Sequence, residues 1–128
     1  MPQRPIPFFV NPAAGRGRAR HRAKRIRRLL AESDVDVEEI HSTSVGDLEY
    51  KVFATASAGA ERIIVAGGDG SVHEAVNGIL RSGSRTALGV IPVGTGNDFA
   101  KACSIPLNWE DATRLLADRI DSDMPLRY

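Results

Sequence analysis

The feature that most constrains this chain is the run Ile63-Ile64-Val65-Ala66, followed at once by Gly67-Gly68-Asp69-Gly70-Ser71. Branched and small apolar residues bounded by a glycine cluster read as a buried strand that ends in a loop. Apolar residues then fall at 72, 75, 76, 79 and 80, the spacing of one buried helix face. Strand, glycine loop and helix is how α/β proteins aim backbone N–H groups and a helix N-terminus at a phosphate. The loop has neither the Lys of Gly-x-x-x-x-Gly-Lys-Ser/Thr nor the spacing of Gly-x-Gly-x-x-Gly. Taken alone it reads equally as a tight turn, with glycines for positive φ and Asp69 as a local acceptor.

The rest of the chain repeats the theme. Ile6-Pro7-Phe8-Phe9-Val10 is a short strand that runs into a small-residue loop, Asn11 to Gly17. A helix follows, with Ala19, Ala23, Ile26 and Leu30 as an apolar stripe and Leu29 beside it. Val35 to Ile40 partly alternates and reads as a strand with one wet face. Ser44 with Asp47 three residues on resembles a helix start, and Leu48, Val52 and Thr55 or Ala56 would line that helix's inner side. The central helix should close at Gly83. Thr86 to Pro92 is a fourth strand, ending in a third glycine loop, Val93-Gly94-Thr95-Gly96-Asn97-Asp98. A short helix from Phe99 stops before Pro106, and Asn108 to Asp111 caps a last helix with Ala112, Leu115 and Leu116 inside. The tail from Ile120 to Tyr128 carries no end signal.

Strands alternating with helices predict a three-layer α/β/α domain around a mostly parallel, Rossmann-like sheet. In such a sheet all strand C-termini lie on one edge, where ligands bind. The glycine-rich loops after the first, third and fourth strands therefore converge, which favours a phosphate-bearing ligand over unrelated tight turns.

A chain of 128 residues is long enough for one domain with a core, and its net charge of +1 argues against a protein that is basic overall. The single Cys103 excludes an internal disulfide and a thiolate metal cluster, fits a reducing cytoplasm, and is expected as a small buried hydrophobe. No apolar run approaches the roughly 20 residues of a membrane span, and no signal peptide is visible. One charge asymmetry stands out: Arg16, Arg18, Arg20, Arg22, Lys24, Arg25, Arg27 and Arg28 surround the first helix. A solvated outer face is the expectation; anionic lipid headgroups or nucleic acid are the functional alternatives.

Asn11-Pro12-Ala13-Ala14-Gly15, Gly67-Gly68-Asp69-Gly70-Ser71 and Ile91-Pro92-Val93-Gly94-Thr95-Gly96-Asn97-Asp98-Phe99-Ala100 resemble the diacylglycerol kinase catalytic domain. That family includes bacterial lipid kinases and sphingosine and ceramide kinases, and is related at fold level to NAD kinases. Gly-Gly-Asp-Gly is shared with NAD kinases; Gly-Thr-Gly-Asn-Asp-Phe-Ala points to the lipid-kinase branch. The resemblance covers nearly the whole chain. It implies that Gly67, Gly68, Asp69, Gly70, Ser71 and His73 wrap the triphosphate of ATP. Gly94, Thr95, Gly96 and Asn97 would complete the nucleotide pocket, with Asn11 and Thr43 contacting the nucleotide from their own loops. Asp98 would sit near the acceptor hydroxyl or hold the loop. Read from the residues alone, His73, Asn77 and Lys101 are expected as helix-surface or packing residues.

The chemistry agrees with the resemblance, because phosphoryl transfer needs positioning, Mg²⁺ and charge neutralisation above all. Asp69 is the candidate catalytic and metal residue, since Mg²⁺ takes one or two carboxylates plus substrate phosphates. An exposed carboxylate is a weak base at neutral pH, so metal and phosphate organisation is its expected part rather than proton abstraction. The family pairs this half with a β-rich domain that carries further metal-site residues and the base, and nothing of that kind follows Leu126. Residues 1–128 are therefore expected to be the nucleotide-binding domain alone, cut at the boundary or naturally shortened, and inactive or weakly active by itself.

Three functions follow. The first is the ATP-binding half of a kinase transferring the γ-phosphate of ATP to a lipid hydroxyl of diacylglycerol type. The second is an NAD kinase-like enzyme, and the third a non-catalytic nucleotide-binding or membrane-docking module. The first implies ATP and Mg²⁺, a lipid substrate at a membrane surface, no nucleic-acid partner, a cytoplasmic or peripheral location, and the possibility of a homo-oligomer.

Overall fold

The computed structural model describes residues 4–94 and 96–121; Thr95 and the tail beyond Asp121 lie outside the described residues. The elements are β1 (Ile6–Val10), α1 (Arg18–Glu32), β2 (Val37–His41), α2 (Asp47–Ser57), β3 (Arg62–Gly67), α3 (Asp69–Ser82), β4 (Ala87–Pro92), α4 (Asp98–Ala102) and α5 (Trp109–Asp121). The strands form a four-stranded sheet in the order β2-β1-β3-β4. Every pairing is parallel. The three-layer α/β expectation holds.

Strand periodicity divides the core into two layers. Phe8, Val10, Ile64, Ala66 and Ile91 face one way and pack under Ala19, Ala23, Ile26 and Leu30 of α1 and Leu116, Ala117 and Ile120 of α5. Phe9, Ile63, Val65 and Val90 face the other way, against Leu48 and Val52 of α2, Val72 and Ala75 of α3, and Ala100 of α4. Both faces are covered, which is why β1 and β3 read as continuous apolar runs rather than alternating ones. Pro7 sits beside β2 only, because the β1–β3 ladder begins at Phe8, so its missing N–H falls where β1 has one neighbour.

Several boundaries differ from the sequence reading. β2 begins at Val37, not Val35: Asp34 turns through a positive φ of 59°, and the Val35 N–H returns to the Leu30 carbonyl to close α1. Thr86 precedes β4 and is buried, its hydroxyl donating to the Ala60 carbonyl at 2.8 Å. Helix α3 starts at Asp69, before Ser71, and closes at Gly83 with φ 68°, as its glycine suggested. Leu115 is half-buried, while Thr113, Leu116, Ala117 and Ile120 complete the inner side of α5. Asn108 caps α5 as expected, its Oδ1 accepting the Glu110 and Asp111 N–H groups at 3.0 Å each.

The largest departure is the buried face of α3. Ser71, Val72, Ala75 and Gly78 are buried, whereas Val76 and Ile79 are half-buried and Leu80 is 71% exposed. The cause is Gly78. A Cβ there would stand 2.7 Å from the Glu49 carbonyl oxygen and 3.0 Å from the Phe53 nitrogen, both backbone atoms of α2. Helices α2 and α3 thus meet backbone to backbone at this glycine, and the helix is rolled toward it at the expense of Leu80.

Two stability outcomes follow. Gly78→Ala gains about 1 kcal/mol of helix propensity but overpacks rigid backbone at a cost of about 1–3 kcal/mol. Urea unfolding should therefore show a net loss; a gain would mean that α2 and α3 can separate freely. Asn108→Ala should cost about 1 kcal/mol in the same assay.

Candidate functional site

The parallel sheet delivers four loops to one edge, the one toward which the helices following β1, β2 and β3 point their N-termini. Registers at the strand ends fix how close these loops come. β3 and β4 stay paired to Gly67 and Pro92, and the Val93 N–H then donates to the Gly67 carbonyl at 3.1 Å. One residue further, Gly68 and Gly94 touch through bare backbone: a Cβ on Gly94 would lie 2.4 Å from the Gly68 Cα. The first loop joins from the other side. Gly15, at φ +61°, would place a Cβ 2.2 Å from the Val93 carbonyl oxygen. Loops one, two and three form one contiguous surface held by glycine contacts.

Asp69 is the first residue of α3 and is half-buried between the second and third loops. Its Oδ1 accepts the Phe99 N–H at 3.2 Å, and its Oδ2 lies 3.0 Å from where a Cβ on Gly96 would stand. A carboxylate in the first helical turn is favoured by the helix dipole. Ser71 is buried beneath this loop, with Gly67 left bare to admit it: a Cβ on Gly67 would meet the Ser71 Oγ at 2.5 Å. Gly70 is different, because it is exposed and a Cβ there would meet nothing within 4 Å. The fold does not need glycine at 70.

Asn97 introduces α4 in the left-handed conformation, φ 53°. Its Nδ2 donates to the Gly94 carbonyl at 2.9 Å, closing the third loop on itself. Its Oδ1 is buried and has no hydrogen-bond partner among the described residues. Such an acceptor is costly to leave unmade, and cases of this kind concentrate at functional sites. Thr95, expected beside it, lies outside the described residues. Asp98 is exposed at the start of α4 with no side-chain partner among them; the carboxylate that ties this loop down is Asp69.

The remaining expected residues stand around the rim. Asn11 spends its Oδ1 on the Ala13 N–H at 3.0 Å, shaping the first loop from inside. Thr43 is exposed in the loop after β2, at the same edge. Its N–H and hydroxyl both donate to the Asp47 carboxylate, at 2.8 and 3.1 Å, while Lys51 lies 3.0 Å from the same oxygen. The Thr43 N–H above all, and then the Lys51 ammonium, hold the Asp47 carboxyl below the usual carboxylate range. The helix-start signal at Ser44 and Asp47 is thus answered differently: Asp47 reaches back to Thr43, and Gly46 occupies the cap without a side-chain bond. Glu74 of α3 accepts the Gly46 N–H at 2.8 Å and joins this fourth loop to the central helix. Sequence reasoning read Asp47 as a helix start only and passed over Glu74, since a bond spanning residues 46 and 74 leaves no local pattern. His73 is exposed on α3, its Nε2 3.0 Å from the Asn77 Nδ2, one turn on.

Among the described residues no group of three His, Cys, Asp or Glu side chains could hold a metal by itself. Asp69 is the carboxylate at this edge that could hold an ion, and a single carboxylate would need a phosphate ligand to share the ion's shell. A cavity of about 830 Å³ exists at the opposite edge, lined by residues that include Arg4, Glu38, Thr55 and Arg62. It is faced by helix C-termini and strand starts rather than by glycine loops, so the site is assigned to the loop edge. No helix among the described residues is long and apolar enough to cross a membrane.

With this geometry in view, the comparisons with known proteins are specific. Residues 5–126 match the family model described as the diacylglycerol kinase catalytic domain. The chain is 36% identical over 99 residues to a diacylglycerol kinase of Bacillus subtilis, covering 77% of this chain and 33% of that one. It is 30% identical over 118 residues to a diacylglycerol kinase of Staphylococcus epidermidis, covering 87% of this chain and 35% of that one. Its structure is similar to that of a diacylglycerol kinase from Bacillus anthracis, with a TM-score of 0.80 at 33% identity, over 90% of this chain and 42% of the other. The chain spans about a third of the length of the curated relatives it matches. On a match that runs almost from end to end, this chain belongs to the diacylglycerol kinase catalytic domain family.

Proposed function

We propose that residues 1–128 form the ATP-binding half of a lipid kinase that transfers the γ-phosphate of ATP to a lipid hydroxyl of diacylglycerol type. The observation that carries this reading is the joining of three loops at one sheet edge through the Gly15–Val93 and Gly68–Gly94 approaches, with Asp69 spanning the second and third. The family match sets it ahead of the NAD kinase-like alternative.

In this reading the start of α3 receives the phosphates. Backbone N–H groups of its first turn have no partner within the helix, and the helix dipole adds positive potential there. The bare Gly70 leaves open space above that turn, so phosphate oxygens approach the backbone without meeting a side chain. Asp69 would hold Mg²⁺ together with those oxygens, and the ion would neutralise charge developing on the transferred group. The Phe99 N–H keeps the carboxylate in place between the loops, which is a positioning function independent of any proton transfer. The Asn97 Oδ1, without a partner among the described residues, would accept from a hydroxyl or amino group of the nucleotide, and Thr43, held by Asp47, would face the same ligand from the fourth loop. The new bond joins the lipid oxygen to the γ-phosphorus as the bond to the β-phosphate oxygen breaks. The acceptor's proton passes to a base that we place outside residues 1–128.

Two substitutions separate this proposal from a set of tight turns. Gly70→Ala fits the fold, so its unfolding midpoint should match wild type to within about 0.5 kcal/mol, while calorimetric titration shows ATP affinity reduced about tenfold or more. Asp69→Asn retains an oxygen for the Phe99 N–H but loses the charge. Its ATP binding should lose most of its dependence on Mg²⁺. Unchanged titrations for both variants would remove the ligand from this loop.

A further inference from the structure

Thr43 stands in the loop after β2, and two residues of α2 fix it there. Asp47, the first residue of that helix, accepts on one oxygen, Oδ2, from the Thr43 N–H at 2.8 Å and from the Thr43 hydroxyl at 3.1 Å. Lys51, one turn further, lies 3.0 Å from the same oxygen and donates to the carbonyl of His41, the last residue of β2, at 2.7 Å. Glu74 of α3 holds the other end of the loop through the Gly46 N–H at 2.8 Å. The loop is thus tied to three elements by the chain's own groups. The Thr43 N–H and then the Lys51 ammonium favour the ionised form of Asp47, so the carboxylate remains an acceptor at neutral pH.

These bonds have a direction. A threonine hydroxyl has one hydrogen to give, and Asp47 takes it, because an ionised carboxylate accepts and cannot donate. Only the lone pairs of the Thr43 Oγ1 are left for a ligand, and Thr43 is exposed, so a ligand can reach it. A phosphate oxygen, itself an acceptor, gains nothing there; a group that carries hydrogen does. β1 separates β2 from β3, which puts the end of β2 two strand spacings, about 10 Å, from the strand that leads into α3. With phosphates at the start of α3, the nucleoside end of ATP falls on the Thr43 side.

We infer that Asp47 is a positioning residue that sets Thr43 as a hydrogen-bond acceptor for an amino group of the base, and thereby selects adenine over a 6-oxopurine. The inference rests on the kinase reading, from which it takes a nucleotide at this edge; it adds which base is admitted and what decides it. With Asp47 in place, a 6-oxo group meets Thr43 acceptor to acceptor. Without Asp47 the hydroxyl turns and serves either group.

The test is calorimetric titration of the chain with ATP and with inosine triphosphate, which carries an oxo group in place of the 6-amino group, each with Mg²⁺. Wild type should bind ATP about tenfold more tightly, the size of one hydrogen bond of this kind. Asp47→Ala should bring the ratio below about threefold, mainly by strengthening inosine triphosphate. Asp47→Asn keeps an oxygen that accepts from Thr43 and should retain most of the ratio, which a dependence on charge alone would not allow. Thr43→Ala leaves the Asp47–Lys51 pair in place and should reach the same low ratio by weakening ATP, so the inference stays readable if Asp47→Ala does not fold. Equal affinity for the two nucleotides in wild type would overturn the inference and leave ATP at the loop edge. So would a tenfold ratio kept in Thr43→Ala. Absence of binding by either nucleotide would remove the kinase reading and the inference with it.

Discussion

The structure depends on a close approach of two backbones. Gly68 and Gly94 lie one and two residues past the last paired residues of adjacent parallel strands, Gly67 and Pro92, and have no side chain to hold them apart. A Cβ on Gly94 would run into the Gly68 backbone and force the second and third loops to splay, and Asp69 would then lose its reach to the Phe99 N–H. The positions of α3 and α4 follow, since each helix begins within a few residues of the contact. The site is in this sense an extension of the β3–β4 register beyond the end of the sheet.

The same edge shows why glycine carries different meanings within one motif. Gly67 is demanded by Ser71 and Gly68 is crowded by Gly94, so their bareness serves packing. Gly70 faces open space, so no contact among the described residues requires its bareness. Polar groups divide along the same line. Asn97 Nδ2, Asn11 Oδ1 and Asp69 Oδ1 are spent on the loops' own backbone, whereas the Asn97 Oδ1 has no partner among the described residues. Phosphoryl transfer draws its rate from positioning and charge neutralisation, and a surface of fixed backbone donors beside one tethered carboxylate suits that demand.

Charge on the outer surface is sorted by tertiary contact as well. Glu39 of β2 takes Arg27 and lies against His41, and Glu110 of α5 takes Arg25. These pairs stitch α1 to its neighbours on two sides, while Arg20, Lys24 and Arg28 have no ion-pair partner among the described residues. A helical wheel of α1 shows a basic face without distinguishing a seam from a free ridge, because the acids that make the difference come from other elements.

Much was legible in residue order alone. Apolar periodicity located every strand and helix, with α1's stripe of Ala19, Ala23, Ile26 and Leu30 buried as read, and the caps at Gly83 and Asn108 marked true ends. The alternation of strands and helices determined a parallel sheet with its loops on one edge, since chain connectivity and handedness leave few other arrangements. These features follow from interactions among residues close in sequence. What only tertiary structure decided involves partners far apart along the chain: the roll of α3 toward Glu49 at Gly78, the Glu74–Gly46 bond, and the pairing of Arg25 with Glu110 and of Arg27 with Glu39. Each depends on a distance between separate elements, and that distance is set by packing, which no local pattern encodes.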